Sequence, residues 1–311
     1  MRVRTDEALQ SGHKAKLRRA LKQDLIAWSL IIIPVVWWCI FFLYAFVRSV
    51  YFSFTDLRFS IENISTFNFD NYIRLFQDKT FYRALGNTGL WTLVMTVANN
   101  VLGILFAFLI FRLNKGNKFF LALLFWPSLV SAVTSAQIIK TVFSPSDTGL
   151  ANQLLGIFGI EPLGWYNDPS LALVSLMIIP LILGFSTQMM LYYVALIGVP
   201  KSYVEAVRLD TCSEWVVLRH VYLPLIRNVL SLNLLLSIIN NLKVLGPMQL
   251  VGDGTGGPLD STITLMLLLY NKGITGYEMG YACAIGVVAF VIILLLSVIQ
   301  QKLTGKGVEY D

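Results

Sequence analysis

Six long apolar runs constrain this chain more than any other feature of its sequence. They lie near residues 25–47, 85–111, 119–143, 171–197, 225–250 and 279–301. Each run supplies the roughly 20 residues that a membrane-spanning helix needs. Charged residues make up only 14% of the chain, against about 25% in soluble domains. Backbone groups in lipid must be paired within a helix or a closed barrel, and runs of this length favour helices. The sequence therefore predicts an all-α membrane protein with six transmembrane helices.

The positive charges predict how these helices cross the membrane. Most of the 24 lysine and arginine residues lie before the first run, in the loops after the second and fourth runs, or after the sixth run. Short loops rich in these residues stay in the cytoplasm. We therefore expect a basic cytoplasmic N-terminal segment (1–24), a six-helix transmembrane domain (25–301) with a cytoplasmic loop (198–224), and a cytoplasmic tail (302–311). The net charge of +6 then reflects topology; we expect membrane lipid as a partner and no nucleic acid.

The sequence contains no pattern typical of an enzyme or a metal site. Cys39, Cys212 and Cys283 show no paired spacing, and His13 and His220 are isolated. Metal knuckles and disulfide frameworks require grouped ligands or paired cysteines. We therefore expect no catalytic residue, no metal and no cofactor bound by this chain itself.

The predicted cytoplasmic loop 198–224 carries signals for two short helices. Pro200 ends the fourth run, and Ser202 followed three residues later by Glu205 fits a capping box. Such a box predicts a helix that begins near residue 203. In one interpretation Glu205 only satisfies backbone amides; in the other its carboxylate also meets a basic group of a partner.

A second capping box is predicted from Thr211 and Glu214. The helix that it starts is expected to end before Pro224, because proline has no amide hydrogen to donate inside a helix. Both short helices are mostly apolar, so they need a surface on which to pack.

Polar residues within the apolar runs are costly in lipid and so indicate a solute pathway or contacts between helices. The candidates are Asn99, Asn100, Gln137, Thr187, Gln188, Ser237, Asn240 and Asn241. Asn240 and Asn241 lie one helical turn beyond Ser237. Hydrogen bonds between membrane helices average about 0.6 kcal/mol, and for any single residue that role is at least as favoured as solute contact.

Several segments, taken in order, resemble the permease subunits of binding-protein-dependent ABC sugar importers. The cytoplasmic loop resembles the family's Glu-Ala-Ala motif at Glu205, Ala206, Asp210, Thr211, Leu223 and Pro224. Further matches are Phe69-Asp70-Asn71-Tyr72, Phe143-Ser144-Pro145, Gly256-Gly257-Pro258 and Gly280-Tyr281-Ala282. The opening segment, Ser53-Phe54-Thr55-Asp56 included, resembles the first-encoded permease of the pair in maltose and glycerol-phosphate importers. One departure is Thr211, which stands where the family has glycine.

The resemblance implies a type I ABC importer fold, in the bacterial cytoplasmic membrane, with coupling helices on the cytoplasmic side. It implies that the six motif residues of the loop contact an ATPase. It also implies a substrate pathway, which we assign to Thr187, Gln188, Ser237, Asn240, Asn241 and Tyr281.

The implied partners are a second homologous permease, a dimer of ATPase subunits that binds ATP and magnesium, and an extracytoplasmic solute-binding protein. The implied substrate is a sugar or oligosaccharide, and the sequence does not say which one. The alternative is a secondary transporter or channel for a small polar solute. The predicted spans show no acidic proton relay of the kind that many secondary transporters use.

Overall fold

The described part of the chain is almost entirely helical. The computed structural model describes residues 24, 28–58, 67–208, 213–251 and 254–304. Within these residues the only β-type pairing is an isolated bridge between Thr55 and Phe67. The prediction of an all-α membrane protein is confirmed. Most of the N-terminal segment, Asp210, Thr211 and most of the C-terminal tail lie outside the described residues.

The helices divide into long spans and short connecting helices. In chain order they are α1 (Trp28–Phe52), α2 (Asp70–Gln77), α3 (Lys79–Phe111), α4 (Asn117–Phe125), α5 (Ala132–Val142), α6 (Leu150–Ile157), α7 (Ala172–Ile197), α8 (Lys201–Arg208), α9 (Glu214–Val217), α10 (Arg227–Leu242), α11 (Gly246–Val251), α12 (Leu265–Tyr270) and α13 (Met279–Thr304). Within the described ranges, five stretches are long and apolar enough to cross a membrane: α1, α3, α7, α13 and the combined α10–α11 segment, Arg227–Val251. The described residues up to Phe52, which include α1, belong to one compact unit, and the described residues from Ser53 onward, with the other helices, belong to a second.

The third predicted span is a bent pair of helices and not one straight helix. α4 continues as a 3-10 turn over Trp126–Leu129, and α5 then leaves at an angle of 88°. Pro127 removes one amide from the helical ladder, and Val130 is extended. The hydroxyl of Ser131 accepts a hydrogen bond of 3.2 Å from the amide of Thr134 and so caps α5. Counted as one span, the pair brings the number of spans to six.

Two buried apolar clusters hold the second unit together. One includes Leu75, Trp91, Ile139, Leu176 and Tyr281, and it joins α2, α3, α5, α7 and α13. The other lies at the opposite end of α3 and α7 and includes the loop between α7 and α10. α3 packs along α7 for much of its length. The described residues of the loop 198–224 therefore pack into the core of the helix bundle.

Candidate functional site: the coupling loop and the polar seam

The loop 198–224, called the coupling loop below, is anchored on the ends of two spans. Val204 of α8 is buried, as are Val217, Val221 and Tyr222 of the segment that follows. They pack in one cluster with residues of α3 and α7, including Ala107, Phe108, Ile110, Tyr192 and Leu196. The mostly apolar short helices predicted from the sequence thus find their surface within the same chain.

Tyr222 forms the aromatic centre of this anchor. Its ring makes edge-to-face contacts with Phe108 and Phe111 of α3, with centroid distances of 6.0 and 5.4 Å. Such pairs contribute about 0.5–1.5 kcal/mol beyond the area that they bury. Burial also raises the pKa of the Tyr222 hydroxyl, so this group stays neutral at physiological pH.

An acidic residue ties the coupling loop to α3. Glu214, the first residue of α9, forms an ion pair of 2.7 Å with Arg112, which directly follows α3. The same carboxylate lies 3.4 Å from Arg208 at the end of α8. Sequence reasoning missed this role, because Glu214 looked like one half of a capping box and nothing in the loop pointed to Arg112.

The side chain of Glu205 is exposed and takes no part in capping. α8 begins at Lys201, one residue before the predicted N-cap Ser202. Its first backbone bond runs from the Tyr203 amide to the Pro200 carbonyl, at 3.3 Å. Neither Ser202 nor Glu205 makes a side-chain hydrogen bond or ion pair with another described residue. The predicted capping box is therefore wrong, and the carboxylate of Glu205 points outward beside the exposed Ala206.

The second capping box is also absent from the described residues. The N-cap position of α9 belongs to Ser213, which makes no side-chain capping bond, and the carboxylate of Glu214 is engaged by arginines. Thr211 and Asp210 lie outside the described residues.

The sequence predicted that the helix ends before Pro224, and this prediction is wrong. After α9 the backbone widens into a π-turn over Leu218–Tyr222 and continues through Leu223–Leu225. It breaks at Ile226, where φ is −93° and ψ is 12°. A widened turn leaves room for the proline ring, which would clash with the preceding turn of a regular α-helix. Leu223 and Pro224 therefore lie in the hinge that leads from the coupling loop into α10.

A polar seam of buried and half-buried side chains runs along the interface of α3, α7 and α10. Its members are Thr96, Asn99, Asn100, Gln188, Tyr192, Asn233, Ser237 and Asn241. The Tyr192 hydroxyl donates to the Asn100 side-chain carbonyl. The Asn241 amide donates to the Thr96 hydroxyl at 3.0 Å and lies 3.4 Å from the Ser237 hydroxyl. The structure thus places Ser237 and Asn241 in contacts between and within helices.

Two other predicted pathway residues, Thr187 and Asn240, are exposed on their helices. Exposed polar groups on a span are costly against lipid, so they indicate a water-filled path or a partner helix. Gln188 is half-buried, with its Cβ against Gly103 of α3. Assignment of these three residues to the substrate pathway stays a prediction.

Tyr281 is fully packed at the end of the bundle opposite to the coupling loop. Its hydroxyl donates to the Asp78 carboxylate at 2.8 Å, and the Arg74 guanidinium lies 4.3 Å from the centre of its ring. Asp78 also caps α3 by accepting from the Thr80 amide. In this conformation Tyr281 fastens α13 to the start of α3, and its ring is not open for stacking on a sugar. Among the described residues no group of His, Cys, Asp or Glu side chains could hold a metal ion.

Comparisons with known proteins decide the family. The chain is 30% identical over 281 residues to the multiple sugar-binding transport system permease protein of Streptococcus mutans. The match covers 90% of this chain and 95% of that protein. It belongs to the permease subunits of binding-protein-dependent ABC sugar importers. The arabinooligosaccharides transport system permease protein of Bacillus subtilis is also 30% identical, over 86% of this chain and 84% of that protein. No family model matches the chain.

Solved structures agree on the fold. This permease superimposes with a TM-score of 0.80 on a chain of a bacterial ABC transporter that imports the acidic polysaccharide alginate. The two are 19% identical, and the match covers 94% of this permease and 100% of the other chain. The predicted type I importer fold is confirmed, and the chain is a multi-pass membrane transport subunit.

Proposed function

We propose that this permease carries a sugar or oligosaccharide into the cell and that α8 is the surface on which an ATPase subunit acts. The observation that carries the proposal is the contrast between the two faces of the coupling loop. Val204 faces the core, whereas Glu205 and Ala206 are exposed with no described partner for the carboxylate. A rigid, anchored helix that presents a free charge is suited to receive a push from a basic partner surface.

The motor is proposed to be a pair of ATPase subunits, which would bind ATP and magnesium. Their closure would displace α8, and the second cluster of buried residues would carry that displacement into α3 and α7. A second homologous permease would complete the pathway. Its polar lining would include the exposed Thr187 and Asn240, because neither side chain is satisfied by a described neighbour.

The orientation follows from charge. Lysine and arginine residues concentrate beside the coupling loop and near the chain termini, which supports a cytoplasmic location for this side and both termini. The opposite end would then receive a solute-binding protein. One solved relative of the fold is an alginate importer in complex with a periplasmic protein loaded with alginate pentasaccharide.

The test is reconstitution with candidate partners. The permease is co-expressed with a second permease and an ATPase subunit encoded beside it, purified, and placed in vesicles with the solute-binding protein. We expect the two permeases and the ATPase subunit to copurify and to bind the added solute-binding protein. Sugar should enter the vesicles only when ATP is supplied. Solute movement by this chain alone, without an ATPase, would establish the secondary transporter instead.

A further inference from the structure

We propose that Glu214 is a positioning residue for energy coupling. Its carboxylate holds the coupling helix α8 in register with the end of α3, so that a displacement of α8 moves α3 with it. The inference rests on the proposed function, since it assumes that α8 is the helix that receives the push.

The geometry joins three elements through one side chain. One oxygen of Glu214 lies 2.7 Å from Nη1 of Arg112, and the other lies 3.4 Å from Nη2 of Arg208. Arg112 directly follows the span α3, and Arg208 is the last residue of α8. The carboxylate thus closes a three-membered charge cluster in which each member belongs to a different element of the backbone.

The apolar contacts beside this cluster hold the loop against α3, and the charge cluster adds a polar link to them. Tyr222 and Val217 bury the coupling loop against α3, and apolar burial is non-directional. The Arg208 guanidinium donates a hydrogen bond of 3.4 Å to one oxygen of Glu214. Arg112 pairs with the other oxygen by charge, without hydrogen-bond geometry. Together the two contacts restrict the distance between α8 and the end of α3.

Because the three side chains are partly exposed, an effect of the charge cluster on coupling can be distinguished from an effect on stability. The side chains of Glu214, Arg112 and Arg208 are 29%, 39% and 50% exposed. Partly exposed ion pairs contribute little to the free energy of unfolding. Loss of the Glu214 charge should therefore leave the fold intact and appear as loss of transmitted motion. A residue with a merely structural role would show the reverse pattern.

The first experiment compares variants of the assembled importer in vesicles. The substitution Glu214→Gln keeps the shape of the side chain and removes its charge. Together with Arg112→Gln and the double variant it forms a double-mutant cycle, which measures the interaction of the two side chains. Asp24→Asn, an exposed acidic residue outside the loop, is the matched control. The measured quantity is sugar imported per ATP hydrolysed. We expect this ratio to fall about two- to fivefold in Glu214→Gln, and the double variant to be no worse than either single one.

A second measurement reads the position of α8 in the purified full-length chain. Spin labels are attached to cysteines introduced at Lys201 and Lys115, both exposed, after replacement of the native cysteines by serine. The distance distribution between the labels should be narrow in the parent chain and broader in Glu214→Gln. An unchanged width, or an unchanged import-to-hydrolysis ratio with lowered thermal stability alone, would overturn the proposal.

The two proposals fail in different ways. Absence of ATP-driven import by the unsubstituted complex would refute the proposed function. Unchanged coupling in Glu214→Gln, measured on a complex that does import, would refute only the role of Glu214.

Discussion

The side-chain amide of Asn241 in α10 donates a hydrogen bond of 3.0 Å to the hydroxyl of Thr96 in α3. This bond joins two residues of different spans that lie 145 positions apart in the sequence. It lies in the polar seam and gives Asn241 a contact between helices, whereas the assignment of Asn241 to the substrate pathway stays a prediction. In the described conformation the residue binds a neighbouring helix.

We predict that Asn241→Ala lowers the free energy of unfolding by about 0.6 kcal/mol, the average for hydrogen bonds between membrane helices. Thr96→Val should cost a similar amount, and the double variant should cost less than the sum of the two. Unfolding in mixed micelles with increasing denaturing detergent measures these values. Asn240→Ala, one residue away and exposed, is the control. Strictly additive losses would show that the two side chains do not interact.

Gly103 marks a close approach of α3 to α7. A Cβ atom at this position would lie 2.8 Å from Cβ of Gln188 and 3.0 Å from the Met189 amide nitrogen. Both contacts are too short, so Gly103→Ala must push the two spans apart. We predict a loss of about 1–3 kcal/mol, which is typical of overpacking.

The same helix offers a matched control for this substitution. A Cβ atom at Gly89 would meet no atom within 4 Å. We therefore expect Gly89→Ala to be neutral or slightly stabilising, because alanine is the better helix former. Thermal unfolding of both variants in detergent tests the pair. Equal behaviour of the two would contradict close packing of α3 on α7.

The substitution Glu205→Ala distinguishes a helix-capping role of this residue from a role in binding the ATPase subunit. A capping residue would cost about 0.5–2 kcal/mol of stability when truncated, yet Glu205 caps nothing among the described residues. We expect an unchanged melting temperature and an affinity for the ATPase subunit weakened on the order of tenfold, about 1.4 kcal/mol. Binding of purified ATPase to the permease pair measures the affinity, with Glu161→Ala in the exposed loop after α6 as control. A lower melting temperature with unchanged affinity would favour a local structural role.

Glu278 should make stability depend on acidity. The Arg74 guanidinium hydrogen-bonds its carboxylate and lowers the pKa of Glu278 below the ordinary value of 4.5. A lowered pKa in the folded state means that the ion pair stabilises the fold above pH 4.5. This contribution is lost as the pH falls through the lowered value.

The corresponding experiment compares Glu278→Gln with the parent chain across a pH series. Because the Arg74 side chain is 51% exposed and that of Glu278 is 29% exposed, the gap should be at most about 1 kcal/mol near neutral pH. It should close in acid, once the parent carboxylate is protonated. Melting temperatures of both proteins from pH 7 to pH 3 provide the measurement, and a gap that persists at the acid end would rule out the ion pair as its cause.

Local patterns predicted the spans but not their distortions. The six apolar runs became five spanning stretches and one bent pair, because long apolar segments in lipid must form helices whatever their neighbours are. The bend after Leu129 depends on Pro127 together with the cap at Ser131. The helix continues through Pro224 because of a π-turn that no local sequence motif predicted.

The candidate site was predictable only where one segment carries it. The position of the coupling loop and the exposure of Glu205 agree with a motif of adjacent residues. Tyr281 was assigned to the pathway because it is aromatic, and the fold buries it against Asp78 and Arg74. Glu214 was predicted to cap a helix, whereas in the structure its carboxylate forms an ion pair with Arg112.

By itself, the sequence determined that this chain is a helical membrane protein, roughly where it crosses the bilayer, and which short segment is charged enough to meet a partner. These properties follow from hydrophobic length and local charge, which any stretch of chain carries regardless of its neighbours. Only the tertiary structure decided which polar side chains face each other: Asn241 meets Thr96, and Glu214 meets Arg112. Such pairings join residues more than one hundred positions apart, and they exist only because α3 packs against α10 and the coupling loop at the same time.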